Sequence, residues 1–425
     1  MTGPMHLLLV EPVPASRDYL IEHWARAGHR ISSVGRDPSV AVHALVSRHE
    51  SVRLGDRPAT LRAAREIDAA RPVDAVVTYS QAGVCAANWV THALGLPPIW
   101  DDPDLDLRDK AAVAARWVAA GAPHPRTWEV TGPDDPVWSA VDFPVVVKPS
   151  SMMGGWGVRR CDTPDEARRW VSLLLEGDTW RAAGQRIGEL FAGYGMRPSV
   201  IVQQLLSPDP VGGSRPEFTL ECVVNDGDIH PIGSFQKDHS APPFFEERTF
   251  IFPAPDLTPR QSDLLRRTAQ DAVSALGFRW GVCHLEMCLQ DGAPRLFEIN
   301  PRLIGETTAK VLNATVDTHV GDVITAVSSG QPSFPRRREG LWGGSVHVCA
   351  GDEFAGTQFV GLAYEPDKLL EEWIDLNRPI GYTISPPRIR RSQILARVGF
   401  TSRSLPAVRA RLAYWNDTAR IRTRR

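Results

Sequence analysis

The stretch from residue 279 to residue 306 constrains the fold most, because polar and apolar side chains alternate on both sides of a turn at 291–293. Such a pattern predicts two antiparallel strands joined by a short loop. With that three-residue loop, Glu286 lies opposite Glu298, and side chains alternate between the two faces of each strand. The polar face then carries His284, Glu286, Cys288, Glu298 and Asn300, and the apolar face carries Leu285, Met287, Leu289, Phe297 and Ile299.

Two carboxylates directly across a strand ladder repel each other unless a cation lies between them. Glu286, Glu298 and the amide oxygen of Asn300 together form a hard oxygen-ligand set, which suits magnesium that bridges to a phosphate. The alternative is an ordinary amphipathic hairpin with a solvated acidic face. Because Asn300-Pro301-Arg302 follows at once, we favour the metal site over the solvated face.

The overall composition is that of a soluble globular protein with more than one domain. A chain of 425 residues is too long for one ordinary core, so two to four domains or lobes are expected. The net charge of −2 gives no overall attraction for nucleic acid or anionic membranes, and no apolar run approaches a membrane span or a secretory signal. Six scattered cysteines without a C-x-x-C pair predict reduced thiols in a cytoplasmic protein.

The first 130 residues alternate strand and helix signals, which predicts a parallel α/β domain. The predicted strands are 6–11, 30–34 and 73–79, and the predicted helices are 16–28, 58–70, 82–95 and 109–121. A dinucleotide-binding domain needs a glycine-rich turn after its first strand, but residues 11–16 contain no glycine. This argues against a nicotinamide-dependent dehydrogenase.

A β-branched run at 145–147 ends in Lys148, and a loop of small residues follows at 150–157. A lysine at the end of a buried strand indicates a specific role. Loops of this composition let backbone N–H groups approach phosphate oxygens and can close over a ligand. By itself the loop is weak evidence of function, and Lys110, which opens an alanine-rich helix, reads by itself as a solvated lysine.

After Arg338 the sequence predicts further strands and helices and ends in an arginine-rich stretch. The predicted strands are 341–349 and 356–363, and the predicted helix is 367–376. The arginine-rich stretch 388–425 could bind nucleic acid or an acidic partner. We favour a solvated helix that packs through a stripe of Leu405, Val408, Leu412 and Trp415, since no aromatic interleaving accompanies the charge.

The order of these motifs resembles the ATP-grasp superfamily, and within it the carboxylate–amine ligases called L-amino acid ligases. The resemblance covers residues 1 to about 330, and its specific part is Glu298-x-Asn300-Pro301-Arg302. It implies an α/β protein with α+β lobes, in which an ATP-grasp fold follows a Rossmann-like parallel domain. The implied units are an N-terminal domain (1–107), a small lobe with the glycine-rich loop (108–200), a large lobe with the metal hairpin (201–335) and a C-terminal lobe with a basic tail (336–425).

The resemblance also implies a role for each candidate site residue. ATP and its phosphates would be held by Lys110, Lys148, Ser150, Gly154, Gly155, Gly157, Gln203, Gln204, Leu206, Glu217 and Lys237. Two magnesium ions, with manganese as a substitute, would be bound by Glu286, Glu298 and Asn300. Arg302 and Lys148 would be catalytic, and the substrate pocket would include Arg302, His284, Gly305 and Glu306. For Glu306 the alternative is an exposed glutamate that stabilises the start of a helix.

The implied reaction joins a small-molecule carboxylate to an amine through an acyl phosphate, with release of ADP and phosphate. Both reactants of the first step are anions, so metals and lysines must neutralise their approach. Gln203-Gln204 departs from the acidic residue usual at the adenine edge, and Ile304 and Glu306 depart from the small residues usual after the arginine. The alternatives are an enzyme that activates bicarbonate or formate and a nucleotide-binding module without chemistry. No nucleic-acid or membrane partner is expected, and a homodimer is left open.

Overall fold

The computed structural model describes residues 3–13, 15–152, 154–176, 193–196, 199–385 and 392–425. The chain begins with the predicted parallel α/β unit. Its sheet has the order β3-β2-β1-β4, and all pairings are parallel. The strands are β1 (His6–Val10), β2 (Arg30–Gly35), β3 (Arg48–Ser51) and β4 (Ala75–Val77), and the helices are α1 (Asp18–Arg26), α2 (Val40–His43), α3 (Arg57–Ala70) and α4 (Val84–Leu94).

Helices cover this sheet, so β1 is buried along its whole length. Buried parallel strands read as continuous apolar runs, as Leu7-Leu8-Leu9-Val10 does. The chain leaves β1 and β4 at the carboxyl edge of this parallel sheet. In parallel sheets this is the edge at which ligands bind.

The next unit is an antiparallel sheet that packs on the first. Its order is β5-β8-β6-β7. The elements are α5 (Lys110–Ala119), β5 (Thr127–Val130), β6 (Val145–Pro149), β7 (Arg159–Cys161), α6 (Pro164–Leu175) and β8 (Val200–Gln204). One apolar cluster joins this sheet to the first, with Leu8, Ala64, Val147 and Trp170 among its members. The predicted strand that ends in Lys148 is therefore confirmed as β6.

A large sheet forms the second half of the molecule. The elements up to residue 350 are β9 (Glu217–Asn225), β10 (Asp228–His239), β11 (Glu247–Phe252), α7 (Pro259–Ala275), β12 (Trp280–Gln290), β13 (Ala293–Asn300), α8 (Glu306–Thr315), α9 (Val320–Ser328) and β14 (Trp342–Ala350). The helix α7 begins with a capping box, in which Thr258 and Gln261 satisfy each other's backbone N–H groups.

The C-terminal elements are β15 (Gln358–Leu362), β16 (Glu371–Leu376), β17 (Gln393–Ser402), α10 (Leu405–Asn416) and β18 (Ile421–Arg424). Of these, β16 and β17 extend the same sheet. The large sheet has the order β13-β12-β9-β10-β11-β14-β17-β16, and β15 pairs with β18. Residues 201–335 and 336–425 therefore share one continuous sheet. In the described part of the chain, no helix is long and apolar enough to cross a membrane.

Two expectations for this region are wrong. Residues 371–376 form the strand β16 rather than part of a helix, because β17 offers an open edge with which β16 pairs from Glu371 to Leu376. The stretch 388–425 is not one solvated helix, since it also contributes β17. The predicted apolar stripe does pack as α10, where Val408, Leu412 and Trp415 are buried.

Candidate active site

A cleft of about 1680 Å³ lies where these units meet. Its walls come from the carboxyl edge of the first sheet, the β6–β7 loop, the hairpin β12–β13 and the C-terminal strands. The predicted site residues on its walls are Lys110, Lys148, Gly154, Gly155, Gln203, Gln204, Leu206, Glu217, Lys237, His284, Glu286, Glu298, Asn300, Arg302, Gly305 and Glu306. The structure thus brings to one cavity most of the residues that the sequence singled out.

The hairpin β12–β13 has the predicted facing pairs, but its loop is shorter than predicted and a bulge interrupts the ladder. Glu286 lies opposite Glu298, and His284 lies opposite Asn300. The loop has two residues rather than three, because both central residues have positive φ (55° and 73°), as the favoured hairpin turn requires. A bulge beside Glu286 restores the predicted pairing.

Because of the bulge, the apolar face differs from the predicted one. Glu286 faces Glu298 and Met287 faces Leu296, so Phe297 is the extra residue of β13. Leu296 takes the predicted place of Phe297 in the apolar core beside Ile299. Phe297 instead lines the cleft. A sequence pattern of strict alternation cannot show such a shift.

Glu286, Glu298 and Asn300 form what we call the oxygen ladder, and their chemistry fits a divalent cation. Asn300 is buried, and its Oδ1 has no hydrogen-bond partner within the described part of the chain. Such a buried orphan acceptor is costly unless a ligand meets it. No group of three His, Cys, Asp or Glu residues among those described could hold a metal alone. The amide oxygen and phosphate oxygens would therefore have to complete the coordination.

Lys148 and Lys110 bring two ammonium groups to the oxygen ladder. Lys148, at the end of β6, is 7% exposed. Burial and the neighbouring charge of Lys110 lower its pKa to about 8, against the opposing effect of Glu298. The Nζ of Lys110 lies 3.3 Å from Oε1 of Glu298 and 2.6 Å from the carbonyl oxygen of Met152. Lys110 is therefore held by the glycine-rich loop and the ladder together, rather than solvated.

Lys237 differs from these two lysines, because carboxylates already surround it. Its Nζ lies 2.5 Å from Glu286, 3.1 Å from Glu217 and 3.2 Å from Glu247. Burial opposes its charge, but Glu286 and Glu217 raise its pKa well above the usual range. Burial likewise opposes the charge of Glu217, but His239 and Lys237 lower its pKa to about 2. Lys237 is thus paired directly with Glu286 of the ladder and with Glu217.

His284 belongs to a buried dyad whose second member the sequence analysis missed. Its Nδ1 lies 2.5 Å from Oε1 of Glu221, and its Nε2 lies 3.1 Å from Glu286. Burial disfavours the imidazolium, but Glu221 and Glu286 raise the pKa of His284 to about 9. Glu221 also accepts the backbone N–H of Ile304 at 2.8 Å. Glu221 lies four residues after Glu217 in β9, so the two side chains are on the same face of that strand. This spacing was the sequence signal that could have revealed Glu221.

Arg302 follows the ladder and points into the same cleft. Burial and the adjacent charge of Arg17 lower its pKa. Its Nη1 donates to the carbonyl oxygen of Leu303. Gly305 precedes α8, whose first residue Glu306 has φ of 51° and forms an ion pair with Arg397 of β17. Glu306 therefore reaches the cleft, but it does so already paired with a cation from the C-terminal strands.

The phosphate-loop residues divide into two groups. Gly154 and Gly155 line the cleft, and both have positive φ. Met153, in the same loop, lies outside the described residues. Ser150 is fully buried and bonds to Asp109 and to the backbone of Ala111, so it fixes the start of α5. Gly157 packs against Pro149 and Leu174. Ser150 and Gly157 thus shape the loop from behind, and Gly154 and Gly155 face the cavity.

Several residues of the cleft were not predicted from the sequence. They lie after strands of the first sheet or in the C-terminal part of the chain: Arg17, Arg36, Tyr79, Gln81, His347, Arg378, Tyr382 and Arg397. None of them belongs to a local motif. Only the packing of distant elements brings them to the oxygen ladder.

Comparison with known proteins agrees with this architecture. Residues 141–310 match the family model of the ATP-grasp domain. An uncharacterized protein of Sinorhizobium fredii, y4rH, is 27% identical over 54% of this chain and 44% of its own length. The chain thus spans less than half the length of this curated relative.

Solved structures with low sequence identity share the whole fold. The L-amino acid ligase from Bacillus licheniformis superposes with a TM-score of 0.73 at 18% identity, covering 100% of this chain and 99% of the ligase. The biotin carboxylase domain dimer of Hydrogenobacter thermophilus 2-oxoglutarate carboxylase, in complex with MgADP, ADP and bicarbonate, has a TM-score of 0.65 at 15% identity, covering 99% and 92%. Residues 141–310 thus match the ATP-grasp domain, and the chain shares the fold of these two solved structures over nearly its whole length.

Proposed function

We propose that the protein is an ATP-dependent carboxylate–amine ligase that forms an amide bond, most simply between amino acids, and releases ADP and phosphate. The observation that carries this proposal is the convergence of Lys148, the oxygen ladder and Arg302 on one cleft. These groups suit the transfer of a terminal phosphoryl group, because they neutralise charge where it moves. The resemblance to L-amino acid ligases supports the same activity.

In the first step of the proposed reaction, an oxygen of the substrate carboxylate bonds to the γ-phosphorus of ATP. The bond from that phosphorus to the β–γ bridging oxygen breaks, and ADP leaves. Lys148 and Lys110 hold phosphate oxygens, and Arg302 holds the transferred group. Glu286, Glu298 and Asn300 would hold magnesium, which would supply charge neutralisation in this step.

In the second step, the amine nitrogen bonds to the acyl carbon, the bond from that carbon to the phosphate oxygen breaks, and the nitrogen releases a proton. Water would hydrolyse the acyl phosphate, so the site must exclude it. The loop that carries Gly154 and Gly155 lies over the cleft and is suited to that task.

The experiment is a phosphate-release screen over pairs of amino acids and amines with Mg-ATP. We expect ADP and phosphate only when a carboxylate is present, and hydroxylamine should trap the intermediate as a hydroxamate. An added amine should compete with that trap. Formation of AMP and pyrophosphate would contradict the proposal, because the charged groups gather around the terminal phosphate.

A second candidate is the activation of bicarbonate. It is favoured by the structural similarity to a carboxylase domain that was solved with MgADP and bicarbonate. ADP release driven by bicarbonate alone, without an organic acid, would select this candidate over the ligase. The same screen therefore separates the two.

A further inference from the structure

Glu221 is a buried carboxylate whose two oxygens bond to different parts of the site. Its Oε1 lies 2.5 Å from Nδ1 of His284 and accepts the hydroxyl of Thr219 at 3.1 Å. Its Oε2 accepts the backbone N–H of Ile304 at 2.8 Å. Burying a carboxylate is costly unless hydrogen bonds satisfy it. Because the side chain is 0% exposed, Glu221 can influence a reaction in the cleft only through the groups that it holds.

The first of these groups, His284, connects Glu221 to the oxygen ladder. Its second ring nitrogen, Nε2, lies 3.1 Å from Oε1 of Glu286. An ionised carboxylate can only accept hydrogen bonds, so both ring nitrogens of His284 donate when both contacts are made. The ring thus fixes one oxygen of Glu286, and Lys237 holds the other at 2.5 Å. The orientation of this expected magnesium ligand therefore depends on where Glu221 holds the ring.

The second group is the backbone of Ile304, in the segment that carries Arg302. Glu221 accepts its N–H, and Arg17 of the N-terminal domain donates to its carbonyl oxygen at 2.9 Å. Arg302 itself donates to the carbonyl oxygen of Leu303. Ile304 is thus held through both of its backbone polar groups, which restricts the movement of the residues just before it.

The large sheet places these groups without help from a loop. His284 of β12 is the cross-strand partner of Glu221 in β9, and the strands pair on both sides of this position. Glu286 lies two residues after His284, so both side chains are on the same face of β12. Groups held by paired strands keep a more exact geometry than groups held by loops. Glu221 is therefore well placed to set the positions of its partners.

We propose that Glu221 is a positioning residue that couples the magnesium ligand Glu286 to the segment of Arg302. This inference rests on the proposed function and deepens it. In this role Glu221 touches neither ATP nor the carboxylate substrate. Its loss should weaken metal binding and slow phosphoryl transfer, but it should not loosen the grip on the nucleotide itself.

The test removes one of the two acceptor oxygens. In Glu221→Gln, the amide oxygen can accept from His284 or from Ile304, but not from both. Magnesium, titrated calorimetrically into the protein with saturating ADP, should bind roughly 10- to 100-fold more weakly, the usual effect of losing an outer partner of a metal site. Hydroxamate formation with hydroxylamine at saturating magnesium should slow by a similar factor, whereas the KM for ATP should change little.

The matched control is Glu372→Gln, the same substitution at a carboxylate that serves only the fold. Its side chain is 4% exposed and accepts from Arg411 and Trp415, and these three residues do not line the cleft. Glu372→Gln should lower the melting temperature but leave the magnesium affinity and the hydroxamate rate unchanged.

Two further variants separate the links. His284→Asn shortens the connection to Glu286 but leaves Glu221 able to hold Ile304, so it should reproduce the weaker magnesium binding. Glu221→Asp keeps the charge on a side chain one methylene shorter, which cannot reach both partners, and should give an intermediate magnesium affinity. Glu221→Asp also serves if Glu221→Gln does not fold.

The outcomes distinguish this inference from the proposed function. If Glu221→Gln melts at a lower temperature but keeps its magnesium affinity and hydroxamate rate within about twofold, the spread of an ordinary surface substitution, Glu221 is structural and the ligase stands. A higher KM for ATP at unchanged magnesium affinity would also refute the coupling. If the unaltered protein binds magnesium but no acid yields hydroxamate, the ligase function fails, and the magnesium affinities of the variants alone decide on Glu221.

Discussion

Lys148 shows how burial tunes a single charge in this cleft. Its ammonium group lies at the end of a buried strand, beside Lys110 and within reach of the ladder carboxylates. Because burial and Lys110 lower its pKa to about 8, the free protein loses this positive charge at mildly alkaline pH. The role proposed for Lys148 requires the charged form, since it must attract phosphate oxygens.

We therefore predict that the affinity for ATP is constant below pH 8 and falls above it, by at most about tenfold per pH unit, as expected for one required proton. Calorimetric titration with Mg-ATP between pH 7 and 10 measures this. The substitution Lys148→Arg should remove the pH dependence, because an arginine side chain stays protonated throughout. Lys148→Met should bind roughly 10- to 100-fold more weakly at pH 7. An affinity of the unaltered protein that does not change up to pH 10 would contradict the assignment.

The lowered pKa of Lys148 also determines whether this residue makes the folded state more or less stable as the pH rises. Below pH 8 Lys148 is protonated in both the folded and the unfolded chain, so its contribution is constant. Between pH 8 and its ordinary value of 10.5, the unfolded chain holds the proton and the folded chain does not. The contribution of Lys148 to stability therefore increases with pH across that window, and Lys148→Met should lack this increase in denaturant titrations.

Glu298 offers the sharpest test of the oxygen ladder. Glu298→Gln removes one negative ligand but keeps the shape of the side chain, so we predict a loss of turnover of about 10²- to 10³-fold, the effect of several kcal/mol at the transition state. The melting temperature should change little. Measured ADP release over a range of magnesium concentrations tests this.

The matched control is Asp291→Asn, which changes a carboxylate of the same hairpin at a turn position that asparagine tolerates. It should retain normal turnover. A Glu298→Gln protein with a near-normal rate at ordinary magnesium would remove Glu298 from the metal site.

At the scale of elements, the loop between β6 and β7 depends on two kinds of glycine. Both Gly154 and Gly157 have positive φ. A Cβ at Gly157 would lie 2.9 Å from Leu174 and 3.0 Å from Pro149, whereas a Cβ at Gly154 would meet nothing closer than 3.7 Å. Position 157 thus requires glycine for conformation and for space, and position 154 requires it for conformation alone.

We predict that Gly154→Ala costs about 1 kcal/mol of stability, the usual effect of a side chain in the left-handed region. Gly157→Ala should cost about 1–3 kcal/mol more, because it also overpacks the contact with α6. Urea titrations of the two variants provide the comparison. Equal losses in both variants would mean that the loop moves freely away from Pro149 and Leu174.

The hairpin β12–β13 shows what an element's own sequence can and cannot specify. The alternation of charged and apolar residues was enough to predict that Glu286 faces Glu298. It could not predict the bulge, because strict alternation makes no allowance for an extra residue in one of the two strands. The opposite edge of β12 pairs with β9 from Trp280 to Met287.

At the scale of the whole molecule, the large sheet joins residues on both sides of position 335. The strand β14 pairs with β11, and β17 then continues the sheet. Ile251 packs in one apolar cluster with Val346, Val398 and Phe400. The C-terminal strands also supply Arg397, which pairs with Glu306 at the cleft. The segment 336–425 therefore completes both the core and the site.

We predict that a fragment of residues 1–335 aggregates or loses cooperative unfolding, since it would expose the edge of β11 and the apolar face around Ile251. Co-expression with residues 336–425 should restore a soluble complex if the shared sheet is the cause. Thermal melts followed by circular dichroism measure the difference. A 1–335 fragment that melts cooperatively at the temperature of the full chain would contradict this dependence.

The sequence by itself determined the features that repeat over short distances. The alternation at 279–306 defined the ladder pairs, the apolar run before Lys148 defined its strand, and the order of motifs indicated the ATP-grasp domain that residues 141–310 match. These inferences succeed because strand period, turn chemistry and motif spacing are local properties of the chain.

Only the tertiary structure decided which distant residues share the cleft and which charges are already paired. Arg17 bonds to Ile304, 287 positions away in the sequence. Lys237 is surrounded by three carboxylates from separate strands, and Glu371–Leu376 became a strand because β17 had an open edge. The interaction of charges and the pairing of sheet edges depend on distance in space, which folding sets and which no local pattern records.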